Sequence, residues 1–194
     1  MDIGSVVLCG GKSSRMGTQK ALLTINGETF LHRTLTQLQD FEEILISAND
    51  PALASLCAYP VIPDRYPGCG PMGGLHAALS TCRSGALLAV ACDMPCFTAA
   101  LVRLLLSHWC EDADAVIAMT PDGRYHPLCA IYRKSLAPIF EDHLRSGKCK
   151  LLTALPRDGV RFVPVPEDLA PCLKNVNTPE DYLALTTHYP AASG

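Results

Sequence analysis

The chain has 194 residues, of which 48% are hydrophobic and 18% charged, and its net charge is −3. That length supports one well-buried core and is short for two, so a single domain over residues 1–188 is expected, with 189–194 as a flexible tail. The composition excludes a disordered chain, and the slightly acidic balance provides no basic field for nucleic acid or an anionic membrane.

In chain order, Val6–Leu8 reads as a buried strand that runs into glycines. Phe30–Phe41 places Leu31, Leu35 and Leu38 on one helical face, with Thr29 at the capping position. Glu43–Ala48 and Val61-Ile62 read as strands, ending at the turn signals Asn49-Asp50-Pro51 and Pro63-Asp64. Pro67–Gly74, "PGCGPMGG", reads as a loop with unusual backbone angles, followed by a helix over Leu75–Cys82. Ala86–Ala91 is uniformly apolar, as a central parallel strand covered on both faces should be.

After Cys92-Asp93-Met94-Pro95, Thr98 is placed to cap a helix carrying Leu101, Val102, Leu105 and Leu106. Asp114–Met119 and Leu128–Tyr132 read as strands around a polar turn. Thr178, Pro179 and Asp181 make a good helix start. The alternation of strand and helix predicts an α/β fold with a mostly parallel sheet. In such sheets ligands bind beyond the carboxyl ends of strands, where Gly10–Lys20, Asn49-Asp50, Pro63-Asp64 and Asp93 all fall.

Those segments hold the chemistry. Gly11-Lys12-Ser13 imitates the end of a Walker A loop, but Val6 stands where that motif needs its first glycine. The dinucleotide fingerprint fails as well, because Gly10 and Gly11 are adjacent and the next glycine is Gly17. What remains is a glycine loop with Lys12, Arg15 and Lys20 as cations and Ser13 and Ser14 as donors, which suits an anion. Asp93 at the end of an apolar strand suits a Mg²⁺ that bridges phosphate oxygens, or alternatively a helix cap. His126 is either a turn residue or a ligand contact, and the helix start at Thr178 leaves Asn175 and Asn177 without a structural explanation.

The ten cysteines carry no zinc spacing, several lie in apolar runs, and no signal peptide is recognisable, so reduced thiols and a cytoplasmic location are expected. No G-x-S-x-G elbow, H-E-x-x-H motif or C-x-x-C pair is present, so nothing nominates a nucleophile.

"LCGGKSSRMGTQKALL" resembles the nucleotidyltransferase signature L-x-G-G-x-S-x-R-M-G-x-x-K. With "SAND", "PD", "GPMGGL", "CDMP", "HPLCAIY" and "NVNTPEDY", the chain is most similar to the molybdenum cofactor guanylyltransferases, the MobA family. The resemblance implies a Rossmann-like three-layer α/β sandwich of the nucleotide-diphospho-sugar transferase type. It further implies transfer of GMP from GTP to the terminal phosphate of molybdopterin (carrying its metal), with Mg²⁺ as cofactor and pyrophosphate as leaving product. Partners would be those two substrates and other molybdenum cofactor biosynthesis proteins, with neither nucleic acid nor membrane.

By position, the resemblance puts Leu8, Cys9, Gly10 and Gly11 at the nucleotide, Asn49 and Asp64 around base and ribose, and Asp93 on Mg²⁺. Lys20 would contact phosphate, Arg15 would neutralise transition-state charge, and His126, Asn175 and Asn177 would lie on the pterin side. Cys9 stands where alanine is common, and Thr18-Gln19 replaces the more usual acidic residue before the lysine. A cytidylyl branch would favour A-A-G and D-Q-P, against Cys9-Gly10-Gly11 and Asp93-Met94-Pro95 here. Other small-molecule nucleotidyltransferases are more distant. A non-catalytic nucleotide-binding regulator on the same fold would not need Arg15, Lys20 and Asp93 together.

Overall fold

The computed structural model of the protein describes residues 2–10 and 19–188. Strand β1, Ile3–Leu8, is buried at every position and extends the expected Val6–Leu8 run backwards. A single 3-10 turn at Lys20–Leu22 leads into a hairpin of β2, Thr24–Ile25, and β3, Glu28–Thr29. Asn26 and Gly27 turn it with φ of 53° and 80°, the positive pair that a tight hairpin demands. Helix α1, Phe30–Gln37, is capped by the Thr29 hydroxyl, which accepts the His32 amide at 3.1 Å. It buries the expected Leu31, Leu35 and Leu38 but stops short of Phe41.

Strands β4, Ile44–Ser47, and β5, Val61–Ile62, stand where expected. Helix α2, Pro71–Thr81, corrects the sequence reading, since it begins inside the glycine-rich stretch read as loop. The positive backbone angles belong only to Gly68 and Gly70, with φ of 84° and 61°. Gly73 and Gly74 are ordinary helical residues whose missing side chains serve a different purpose, close approach. A Cβ on Gly74 would come within 2.2 Å of Ser47 Oγ, and one on Gly73 within 3.0 Å of the Tyr66 carbonyl.

Strand β6, Ala86–Ala91, has the predicted bounds and is buried throughout. Helix α3, Ala99–Ser107, starts after Thr98, which occupies the capping position without a side-chain capping bond. Strands β7, Ala115–Met119, and β8, Tyr125–Arg133, flank the polar turn. Helices α4, Ala137–Arg145, and α5, Leu151–Ala154, then precede β9, Val160–Pro164, and the closing helix α6, Pro179–His188. The expected start of α6 is a reciprocal cap. Asp181 accepts the amides of Asn177 and Thr178 at 3.0 and 3.1 Å, and the Thr178 hydroxyl accepts the Asp181 amide at 3.2 Å.

The seven-stranded sheet has the order β5-β4-β1-β6-β8-β7-β9. All neighbours pair parallel except β8, which runs antiparallel to both β6 and β7. Helices α1 and α3 pack Leu35, Leu101 and Leu105 with Val7, Leu88 and Val90 on one face. Helices α2 and α4 pack Leu75, Leu79 and Phe140 with Val6, Leu87 and Ala89 on the other. This is the expected three-layer sandwich, and the period-two alternation of β1 and β6 supplies both faces. The chain leaves β1 for β4 on one side and returns to β6 on the other. The strand order therefore reverses beside β1, and a crevice opens there.

Candidate active site

A cleft of about 980 Å³ opens at the carboxyl ends of β1, β4 and β6, a volume suited to a ligand of nucleotide size. Leu8, Cys9 and Gly10 form its floor at the end of β1. Gly68, Gly70 and Pro71 supply one wall from the segment entering α2. Asn49 and Asp64 stand on the β4–β5 side, with Lys20 and Asp93 on the β6 side.

Asn49 and Asp64 bind each other in both directions. The Asn49 amide nitrogen donates to Asp64 Oδ2 at 3.0 Å, and the Asp64 backbone amide donates to Asn49 Oδ1 at 2.8 Å. Ser47 Oγ adds a longer contact to Asp64 Oδ1 at 3.5 Å. Gly74 permits this cluster, since its Cβ would also stand 3.2 Å from Asp64 Oδ1. The pair presents a carboxylate and an amide in fixed orientation, the donor and acceptor chemistry suited to a base or sugar hydroxyl.

Opposite stands a charged group. Lys20 Nζ donates to Asp93 Oδ2 at 3.0 Å and to Asn177 Oδ1 at 2.6 Å. Asn175 Nδ2 donates to the other Asp93 oxygen at 2.7 Å. Both charged side chains are about one-fifth exposed, 20% and 17%, so they are partly desolvated yet reachable from the cleft. Asp93 thus uses its carboxylate here and not as a cap for α3. The apolar run of β6 delivers it to this point, and the β1 crossover delivers Lys20.

Two contacts were not legible in the sequence. The Gln19 amide donates to Asp50, whose other oxygen accepts the Ala52 amide at 2.7 Å and caps the turn at Pro51–Ser55. An acid at position 19 would face Asp50 with like charge, which gives the unusual Gln19 a physical reason. Cys9 and Cys92 extend the register of β1 and β6 and meet side by side. Thiol hydrogen bonding with Cys92, together with burial, raises the Cys9 pKa well above its ordinary value, which favours the protonated thiol.

His126 is not among the residues lining the cleft. Its Nε2 lies 3.3 Å from the Thr120 hydroxyl, and burial with the neighbouring Arg124 lowers its pKa, leaving the ring neutral at pH 7. Asn175 and Asn177 come to the site by bonding Asp93 and Lys20. Gly11 and Arg15, also expected at the site, lie outside the described residues. Leu128, Gly68 and Gly70 line the cleft without having been singled out. The positive-φ demand of the glycine loop was the signal that could have found the last two.

Among the described residues no three His, Cys, Asp or Glu side chains gather as a metal cage. Asp93 offers a hard anionic oxygen on the β6 side of the cleft, with Asp50 and Asp64 on the opposite side. An open carboxylate of this kind suits a divalent cation that keeps most of its waters.

Comparison with known proteins agrees with this geometry. The family model for the MobA-like NTP transferase domain matches residues 5–161. A protein of Carboxydothermus hydrogenoformans carrying the name "Probable molybdenum cofactor guanylyltransferase" is 38% identical over 182 residues, covering 91% of each chain. The crystal structure of molybdopterin-guanine dinucleotide biosynthesis protein A from Archaeoglobus fulgidus superposes with a TM-score of 0.80 at 26% identity, over 97% of this chain and 98% of that one. The fold is shared as well by Rv0371C of Mycobacterium tuberculosis in its manganese complex, with a TM-score of 0.69 and 20% identity over 96% and 98% of the two chains. Among the described residues no helix is long and apolar enough to cross a membrane. A lysine–aspartate pair at a nucleotide-sized cleft, a family model over residues 5–161 and relatives matching along nearly the whole length lead to one conclusion: the chain belongs to the MobA-like NTP transferase family.

Proposed function

We infer that this chain transfers GMP from GTP to the terminal phosphate of molybdopterin, releasing pyrophosphate. The observation that carries the reading is the Lys20–Asp93 pair at the ends of adjacent elements, facing a nucleotide-sized cleft. The names of the relatives support the same substrates. The nucleophile is an acceptor phosphate that is already an anion, so the site needs no general base. It forms a bond to the α-phosphorus while the bond to pyrophosphate breaks.

The protein's part is alignment and charge neutralisation. The backbone at Leu8, Cys9, Gly10 and Gly11 lies along the nucleotide, and the Asn49–Asp64 pair orients base and ribose. Lys20 exchanges Asp93 for phosphate oxygens, and Arg15 adds a second cation. Mg²⁺ held by Asp93 would supply Lewis-acid neutralisation of the phosphate charge. Asn175 and Asn177 serve the pterin side of the cleft through their bonds to Asp93 and Lys20, and His126, beyond the cleft lining, would meet the pterin only where it reaches past the cleft. We place the reaction in the cytoplasm, where the ten thiols stay reduced.

Thermal unfolding with GTP, CTP, UTP and ATP, each with and without Mg²⁺, tests the nucleotide half. A ligand at a hundred times its dissociation constant should add about 2.7 kcal/mol. Stabilisation by GTP that strengthens with Mg²⁺ is the expected outcome, followed by pyrophosphate release when molybdopterin is added. A preference for CTP would move the chain to the cytidylyl reaction. Binding without turnover would make it a regulator.

A further inference from the structure

We propose that Tyr182 on α6 is a positioning residue that sets where Lys20 stands relative to Asp93, an inference that rests on the function proposed above. No described residue of the helix lines the cleft, yet its leading segment touches both members of the charged pair. The Val176 amide donates to the Asp93 carbonyl at 2.8 Å, while Asn175 holds the Asp93 carboxylate at 2.7 Å. One residue on, Asn177 accepts from Lys20 Nζ at 2.6 Å. The segment between β9 and α6 therefore grips β6 with one asparagine and the lysine with the other.

Besides its own cap and the Val176 bond, apolar packing and a tyrosine hydroxyl bond tie that segment to the start of the chain. Val176 is buried with Ile25 and Phe30 in a small cluster separate from the two main cores. Tyr182 packs its ring against Phe30, centroids 6.1 Å apart, and its hydroxyl donates to the Thr24 carbonyl at 2.6 Å. Thr24 belongs to the same short stretch as Lys20. The Leu23 amide bonds the Lys20 carbonyl at 3.1 Å, and the Phe30 amide bonds the Leu23 carbonyl at 2.8 Å. Tyr182 thus ties α6 to the turn that carries the lysine, and Asn177 ties the start of α6 to the lysine's ammonium.

A lysine has a long stem with many rotamers, and holding its head at a fixed point requires a second anchor. Asp93 is one anchor, but it is the partner that Lys20 gives up when phosphate arrives. Asn177 is neutral and remains, so the ammonium can turn from carboxylate to phosphate about a fixed contact. Tyr182 keeps that contact in register by fixing α6 against Thr24.

The experiment is a double-mutant cycle on the full chain, with Tyr182→Phe, Asn177→Ala and the double variant assayed for pyrophosphate release from GTP and molybdopterin. Tyr182→Phe keeps the ring and its packing, so the fold is retained. Its kcat is expected to fall about fivefold with the KM for GTP unchanged, the size of one lost neutral hydrogen bond. In the Asn177→Ala background the same change should cost less than twofold, because the contact it protects is gone. Independent, multiplying losses would make Tyr182 merely structural and overturn the inference, as would an unchanged kcat in Tyr182→Phe. A wild-type chain that releases no pyrophosphate would instead overturn the functional reading, and this inference with it.

Discussion

Lys20 Nζ stands 3.0 Å from Asp93 Oδ2, joining residues 73 positions apart in the chain. Asp93 follows the end of β6, beside the parallel strand β1, and the 3-10 turn at Lys20–Leu22 carries the lysine back to it. Asp93 uses its second oxygen on Asn175, so its geometry is set before any ligand arrives. Asp93→Asn keeps the shape but removes the charge that a metal and Lys20 both need, and it turns one accepting oxygen into an NH2 that faces a donor, Lys20 Nζ or Asn175 Nδ2. Pyrophosphate release should fall about a hundredfold or more, the scale of one lost electrostatic contact to the transition state. A rate within threefold of wild type would remove Asp93 from the mechanism.

The Asn49–Asp64 pair predicts a different kinetic signature. Asn49→Ala removes both the donor to the Asp64 carboxylate and the acceptor of its amide. If the pair orients base and ribose, the loss is in binding that ground and transition states share. The KM for GTP should rise about tenfold with kcat changed little, a difference of about 1.4 kcal/mol. A fall in kcat at constant KM would place the pair with the reacting phosphates.

Gly74→Ala tests the close approach of α2 to the strand ends. Its Cβ would lie 2.2 Å from Ser47 Oγ, so the helix or the serine must move. The expected cost is about 1–3 kcal/mol in urea unfolding, despite the better helix propensity of alanine. Because Asp64 sits against the same glycine, GTP affinity should weaken in parallel. Unchanged stability would mean that Ser47 turns aside without strain.

Glu43 gives a pH dependence that is separate from the site. Burial pushes its carboxyl pKa up, but the Ser84 hydroxyl and the amides of Arg83 and Ser84 outweigh that and hold it below the ordinary 4.5. A folded-state pKa below the unfolded one means that the stabilisation is present above about 4.5 and is lost as pH falls through the folded value. Wild-type stability should therefore decline on going from pH 6 to pH 3.5, to which other carboxylates also contribute (these pH values being about those of a typical titration). Glu43→Gln should lower stability at neutral pH by roughly 1–3 kcal/mol and flatten that decline. Equal slopes in the two proteins would show that Glu43 is not the group responsible.

Much of this architecture was legible in local pattern. The apolar run Ala86–Ala91, the leucine face of α1 with its Thr29 cap and the Thr178–Asp181 helix start all appear at or near their expected bounds, because period, burial and capping are local properties. The glycines of Pro67–Gly74 were misread in part. A glycine that supplies a positive φ and one that admits a neighbouring atom look identical in sequence, and only the fold separates Gly70, with its φ of 61°, from Gly74, with Ser47 against it. The short polar turn between β7 and β8 marks them as an antiparallel pair, but the insertion of β8 between β6 and β7 was hidden, since an apolar strand covered on both faces carries no mark of its neighbours.

The same division runs through the site. The sequence by itself determined that the end of β1, an acid after the central strand and the Asn49 and Asp64 turns would gather at one end of the sheet, since each follows a strand. Tertiary structure alone decided which of them touch. It set Lys20 on Asp93, turned Asn175 and Asn177 onto that pair and left His126 beside Thr120. Those contacts depend on strand order and on how the last helix docks on the β2–β3 hairpin, which long-range packing settles and local pattern does not.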